Sequence, residues 1–149
     1  MDGGPGGDLL DGGPGNDKLT GGTGLDLVAY PGAAAVVVDL SGTTDMAKRG
    51  GETDTLIGIE GALGSGGNDT FKGDALPNEF QGKAGKDTYA GGSSRDTYDF
   101  NDVADSPAGA TRDVVTDFDP SSTCSTSPGS TPTAPWPATR ASAGSPRRR

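Results

Sequence analysis

GGPGGDLLD, GGPGNDKLT and GGTGLDLVA run head to tail from Gly3 to Ala29, three nonapeptides that all fit G-G-x-G-x-D-x-U-x with U a large apolar residue. Gly at the first, second and fourth positions lets the backbone enter φ > 0 and turn tightly, so the first six residues of each unit read as a loop. The last three set one apolar residue between two outward ones. That is a short strand of period two, so Leu10, Leu19 and Val28 face the same way, inward. Two loops and two strands close one flattened coil. The spacing predicts an all-β chain, a parallel β-roll (β-solenoid) of stacked nonapeptide turns.

In such a coil successive loops lie on opposite edges, and each stacks on the loop two nonapeptides, 18 residues, away. Asp8 then faces Asp26. Two carboxylates held that close repel, and with their loop carbonyls they form an oxygen-rich cage lacking a cation. Calcium is a hard ion that takes 6–8 oxygens at roughly 2.3–2.6 Å and suits such a cage, whereas magnesium demands a tighter octahedron.

The register returns downstream. Gly64–Lys72 reads GSGGNDTFK, Gly73–Gln81 GDALPNEFQ, Gly82–Ala90 GKAGKDTYA and Gly91–Asp99 GGSSRDTYD. Their sixth residues are Asp69, Asn78, Asp87 and Asp96, and their eighth are Phe71, Phe80, Tyr89 and Tyr98. The stacking rule pairs Asp69 with Asp87 and Asn78 with Asp96. The second pair is weaker, since Asn78 carries no charge and its loop holds Leu76 and Pro77 where Gly is preferred. The expected calcium ligands are therefore Asp8, Asp17, Asp26, Asp69, Asn78, Asp87 and Asp96, with loop carbonyls from Gly4, Gly6, Gly13, Gly15, Gly22, Gly24, Gly67 and Gly85. Asp17 needs a partner from the inserted coils, which the spacing does not place. Tyr30, Tyr89 and Tyr98 read as core or rim packing.

Leu, Ile, Val and Phe make up only 22 of 149 residues, fewer than a folded globule usually carries. Apolar burial at roughly 25 cal/mol per Å² is then too small to offset backbone ordering of roughly 1–2 kcal/mol per residue. Metal binding has to supply part of the folding free energy. The expectation is a disordered chain without calcium and a folded one with it.

Residues 1–120 hold eight basic and 21 acidic groups, a net −13, which repels nucleic acid and attracts divalent cations. The single cysteine, Cys124, permits no internal disulfide. The start MDGGPGGDLLDGG is no signal peptide, and no run approaches the roughly 20 apolar residues of a membrane span. Residues 121–149 are Ser, Thr and Pro at 17 of 29 positions and end in three Arg, a composition that predicts a disordered tail.

Between the repeat blocks, residues 33–41 (AAAVVVDLS) and 55–61 (TLIGIEG) read as strands joined by a polar loop over 45–54. Gly50-Gly51-Glu52-Thr53-Asp54 looks like a degenerate repeat turn, with Asp54 read as a solvated turn aspartate and calcium ligation as its alternative. The predicted organisation is a calcium-binding roll over 1–119 (repeat blocks 3–29 and 64–99, inserted strands 30–63, capping region 100–119), followed by the tail, 120–149.

The order LDLVAYPGAAAVVVDLSG, GGETDTLIGIEGALGSGGNDTFKG, further nonapeptides, then DTYDFNDVADSPAGATRDVVTDFD, resembles the RTX (haemolysin-type) calcium-binding region of secreted bacterial proteins, particularly the serralysin-type C-terminal domain. The resemblance spans nearly all of residues 3–119. It implies that the inserted strands continue the solenoid and that Val114, Val115 and Phe118 cap its open apolar end. It also implies export by a one-step (type I) exporter and an extracellular location, where calcium is high. After Asp119 the chain departs from the family's apolar export signal, which reads as a truncated or frame-shifted end. The expected function is a non-enzymatic, monomeric calcium-binding module. With no histidine there is no H-E-x-x-H, and there is no G-x-S-x-G. The alternatives are a remnant of a serralysin-like protease or lipase, or a calcium-dependent adhesive surface protein.

Overall fold

One apolar residue per nonapeptide builds a core only if the coils stack in register, and here they do. The computed structural model describes residues 1–102, 105–107 and 109–118, and every regular element among them is a strand. The expected tail, 120–149, lies outside the described residues.

The strands are β1 (Asp2–Pro5), β2 (Leu9–Leu10), β3 (Lys18–Thr23), β4 (Leu27–Ala29), β5 (Val36–Asp39), β6 (Asp45–Arg49), β7 (Glu52–Ile57), β8 (Gly61–Leu63), β9 (Thr70–Lys72), β10 (Glu79–Gln81), β11 (Thr88–Ala90), β12 (Thr97–Tyr98) and β13 (Val114–Val115). They form an eight-stranded sheet in the order β1-β3-β7-β6-β5-β9-β11-β13 and a five-stranded sheet in the order β12-β10-β8-β4-β2. The 18-residue period is explicit in the pairing. Leu10 lies beside Val28, Phe71 beside Tyr89 and Phe80 beside Tyr98, all in parallel.

The eighth-position side chains meet between the sheets. Leu10, Leu19, Val28, Phe71, Phe80 and Tyr89 are each at most 2 % exposed, and Tyr98 packs half-buried against them. In the second block the residue is aromatic, and the rings form one column. Phe71 lies 5.3 Å from Phe80 and 5.2 Å from Tyr89 between centroids, and Tyr98 meets Tyr89 edge-on.

The insertion differs from the expected two strands and a loop. The stretch 45–54 is not a loop. It contains β6 and the first half of β7, so β5, β6 and β7 form an antiparallel excursion with Val38 opposite Ala47 and Ala47 opposite Asp54. Asp45-Met46-Ala47-Lys48-Arg49 alternates about Ala47, which is 1 % exposed, and the Gly50-Gly51 pair supplies a tight turn with Gly50 at φ 62°. Polar composition hid a short strand whose only inward residue is alanine. In the five-stranded sheet β4 pairs directly with β8, Val28 beside Ala62. The solenoid therefore never breaks. Its middle coil simply takes 34 residues from Asp26 to Glu60 instead of 18.

The closing end is narrower than expected. β13 pairs with β11, and Val115 packs on the core, but Val114 is 39 % and Phe118 60 % exposed. Adjacent strand residues point to opposite faces, so Val114 and Val115 cannot both cap the core. Phe100 contributes instead, lying edge-on to Tyr89 at 5.9 Å.

Phe71→Ala removes the ring that touches both aromatic neighbours and is expected to destabilise the folded chain by about 3–5 kcal/mol. Leu9→Ala, at a residue 59 % exposed, is expected to stay within about 0.5 kcal/mol. Chemical denaturation in saturating calcium measures both, and equal losses would refute the proposed core.

Candidate metal centre

The backbone N–H of a sixth-position residue points along the stack toward the next coil, and it finds a carboxylate there. On one edge Asp8 N–H donates to Asp26 Oδ1 (2.8 Å), Asp26 N–H to Glu60 Oε2 (2.8 Å) and Asn78 N–H to Asp96 Oδ1 (3.0 Å). On the other, Asp17 N–H donates to Asp54 Oδ1 (2.9 Å), Val36 N–H to Asp69 Oδ1 (2.8 Å), Asp69 N–H to Asp87 Oδ1 (2.7 Å) and Asp87 N–H to Asp113 Oδ1 (2.7 Å). Two ladders of carboxylates thus run along the edges, one rung per coil.

The predicted pairs are all brought together: Asp8 with Asp26, Asp69 with Asp87, and Asn78 with Asp96. Asp26, Asp69, Asn78, Asp87 and Asp96 are at most 4 % exposed, while Asp8 and Asp17 are half-buried. Asp17 finds its missing partner in Asp54, which is 5 % exposed and so not the solvated turn residue expected. Sequence reasoning missed two further rungs, Glu60 and Asp113. Both sit two residues before an inward residue, Ala62 and Val115, and that acid-x-apolar triplet was the available signal. The loops before them keep one repeat glycine each, Gly58 at the fourth position and Gly109 at the second, too few to make the repeat visible.

The glycines divide their labour differently from expectation. Second- and fourth-position glycines other than Gly67 use φ > 0, as at Gly22 (122°) and Gly24 (138°), but no first-position glycine does. The first glycine is there for space. A Cβ on Gly82 would fall onto Asp87 Oδ2, and one on Gly3 would come within 2.7 Å of Asp8 Oδ2. Of the expected loop carbonyls, those of Gly4, Gly6 and Gly67 lie where a Cβ on Gly22, Gly24 and Gly85 would be. The Gly13 carbonyl accepts a hydrogen bond from Arg49 Nη2 at 3.0 Å.

The electrostatics of the ladders are one-sided. The second oxygens of Asp8, Asp17, Asp26, Asp87 and Asp113 are buried without any hydrogen-bond partner, as is the Tyr89 hydroxyl. The two ion pairs among the described residues, Arg49 with Glu52 and Lys72 with Asp39, involve no rung. Burial, with Asp69, Asp113 and Asp105 nearby, pushes the Asp87 carboxyl up to about 7. Burial likewise raises Asp69, Asp96 and Asp113, and it lifts the Tyr98 phenol to about 12. Asp117 closes the other edge, accepting hydrogen bonds from Gly91 N–H (3.2 Å) and Gly92 N–H (2.8 Å).

Such buried acceptors call for cations, and every donor atom here is oxygen. Hard divalent ions prefer that set, while soft metals seek thiolate or imidazole. Among the described residues no three acidic, His or Cys side chains converge on one point. An ion at a seam would be held by two rungs, with backbone carbonyls completing its shell, and the flexible geometry of calcium tolerates that better than magnesium's octahedron does.

No curated protein matches the chain. The model of the RTX calcium-binding nonapeptide repeat matches in four copies, over residues 2–29 and 63–98. The segments that build the two carboxylate ladders on either side of the insertion are therefore RTX calcium-binding nonapeptide repeats.

Proposed function

We propose that this chain is a non-enzymatic calcium-binding β-roll that folds on binding the ion and serves as the C-terminal module of a type I-secreted bacterial protein. The observation that carries the proposal is the set of buried, unpartnered second oxygens that face one another in pairs at Asp8 and Asp26 and at Asp87 and Asp113. A buried unsatisfied acceptor costs about 1–3 kcal/mol, and more when charged. A bound cation turns that cost into an attraction. Asp8 with Asp26, Asp26 with Glu60, Asp69 with Asp87, Asn78 with Asp96, and Asp87 with Asp113 would hold calcium, which supplies the positive charge that relieves their repulsion. The secreted setting is supported by the repeat family, whose members include secreted proteins. It also agrees with affinity, since calcium sites of extracellular modules typically bind at roughly 10⁻⁴–10⁻³ M. A chain with such sites stays unfolded at cytosolic calcium and folds once outside.

Calcium added to the chelated protein should drive a cooperative coil-to-β change in far-ultraviolet circular dichroism, at submillimolar to millimolar concentration, and magnesium should not. A β-type spectrum already complete in excess chelator would sink the proposal. Asp26→Ala should raise the midpoint of this titration by about tenfold, because each lost carboxylate contact is worth about 1–2 kcal/mol. Asp2→Ala, at an exposed residue outside the ladders, should leave the midpoint unchanged.

Acid should stand in partly for calcium. An unfolded Asp loses its proton near pH 4, whereas folded, metal-free Asp87 keeps its proton up to about 7. The stability this gives the metal-free fold is complete below about pH 4 and is lost as pH rises through 7. In chelator, β-structure should therefore be greater at pH 5 than at pH 8, and the calcium midpoint should be higher at pH 5. A metal-free chain that gains β-structure between pH 5 and pH 8 would contradict the burial of Asp87.

A further inference from the structure

The seam between the Gly12–Asp17 loop and the turn ending at Asp54 is built unlike the others. Counting back from Asp54, the turn reads Arg49-Gly50-Gly51-Glu52-Thr53-Asp54, so an arginine stands at the first position, where the repeats carry glycine. Its guanidinium reaches across to the stacked loop, with Nη2 donating to the Gly13 carbonyl at 3.0 Å and Nη1 to the Pro31 carbonyl at 3.5 Å. The same group lies 5.6 Å from the centre of the Tyr30 ring, close enough for cation–π attraction. Tyr30, 2 % exposed, donates its hydroxyl to Asp54 Oδ2 at 2.9 Å, and Asp54 Oδ1 already takes the Asp17 N–H. Thr53 N–H adds a bond to Asn16 Oδ1 at 2.7 Å.

Two features set this seam apart. Both oxygens of Asp54 are hydrogen-bonded, so this seam offers one buried unpartnered carboxylate oxygen, Asp17 Oδ2, whereas the Asp8–Asp26 and Asp87–Asp113 seams each offer two. A loop carbonyl expected to face an ion faces a guanidinium instead. Among the described residues no other Lys or Arg hydrogen-bonds to a repeat-loop carbonyl. The donor set at this seam fits calcium poorly, since a second cation would have to sit beside a guanidinium that already meets Gly13, Pro31 and Glu52, and would find one open carboxylate oxygen, on Asp17.

We propose that Arg49 is the resident cation of the Asp17–Asp54 seam, so that this junction takes no calcium and is joined by protein groups alone. The inference rests on the reading of the other seams as calcium sites. Asp17, a calcium ligand by sequence spacing, then serves as a structural rung.

Calcium stoichiometry, measured by native mass spectrometry on the full chain in saturating calcium, tests the assignment. Arg49→Gly restores the repeat's first-position glycine and should bind one more ion than the parent chain. Should that variant fail to fold, two isosteric changes decide independently. Asp17→Asn should leave the number of bound ions unchanged, whereas Asp26→Asn should lower it by at least one. Loss of an ion in Asp17→Asn, or no gain in a folded Arg49→Gly, overturns the role of Arg49 while leaving calcium binding elsewhere intact. Absence of bound calcium from parent and Arg49→Gly alike overturns both readings.

Discussion

Asp26, Asp87 and Asp113 each bury a carboxylate with one oxygen tied to an amide of the neighbouring coil and the other tied to nothing, and the rest of the architecture follows from that arrangement. The amide bond ties each coil to the next, from Asp69 N–H to Asp87 Oδ1 across 18 residues in the repeats and from Asp26 N–H to Glu60 Oε2 across 34 at the insertion. The same bond holds the carboxylate against the loop of its own repeat, so the first glycine must lack a Cβ. It also leaves the second oxygen enclosed, at a cost of about 1–3 kcal/mol or more. The apolar side of the ledger is thin, with one inward residue per nonapeptide against roughly 1–2 kcal/mol of backbone ordering for each residue fixed. The fold thus creates a charge deficit along both edges that its core is too small to carry. That imbalance is the reason for proposing that metal binding and folding are coupled in this chain.

The sequence shows what is periodic and conceals what is not. Sixth-position acids and eighth-position apolar residues stood out because seven units repeat them, and from those alone came the parallel roll, the 18-residue pairing and the inward faces of Leu10, Leu19, Val28, Phe71, Phe80 and Tyr89. Glu60 and Asp113 occupy the same register but lack the glycine loop, since their coils arrive from the insertion and from the closing segment. Their local marks are a single glycine each, Gly58 and Gly109, and an acid two residues before an inward side chain. β6 was hidden for another reason. A strand that turns only Ala47 inward has almost no hydrophobic signature, and it is held by pairing on both sides rather than by burial. The role of Tyr30 depends on a partner 24 residues away in a hairpin that local patterning did not reveal.

The enlarged middle coil shows which energy matters. Lengthening a coil from 18 to 34 residues raises its closure entropy by only about 0.6 kcal/mol, since that cost grows with the logarithm of length. The added strands are paired throughout, so the insertion costs little in backbone terms. Its effect falls on charge. The insertion brings Arg49 and the Tyr30 hydroxyl to the seam where the first repeat block ends, and there the carboxylate of Asp54 is fully satisfied by hydrogen bonds.

Two chemistries for one deficit therefore stand side by side. At Asp8, Asp26 and Asp87 the repeat carboxylates keep free oxygens, and on the proposed reading the compensating charge comes from solution. At the insertion the compensating groups are covalently part of the chain, so the seam is indifferent to the ion. A regular repeat cannot provide the second solution, because its first position must be glycine to leave room for the carboxylate of its own loop. Only where the register is broken by a hairpin, and the acid is drawn instead toward a tyrosine from a preceding crossover, does space open for an arginine at that position. The irregular coil is thus where, among the described residues, an arginine of the chain hydrogen-bonds into a repeat loop.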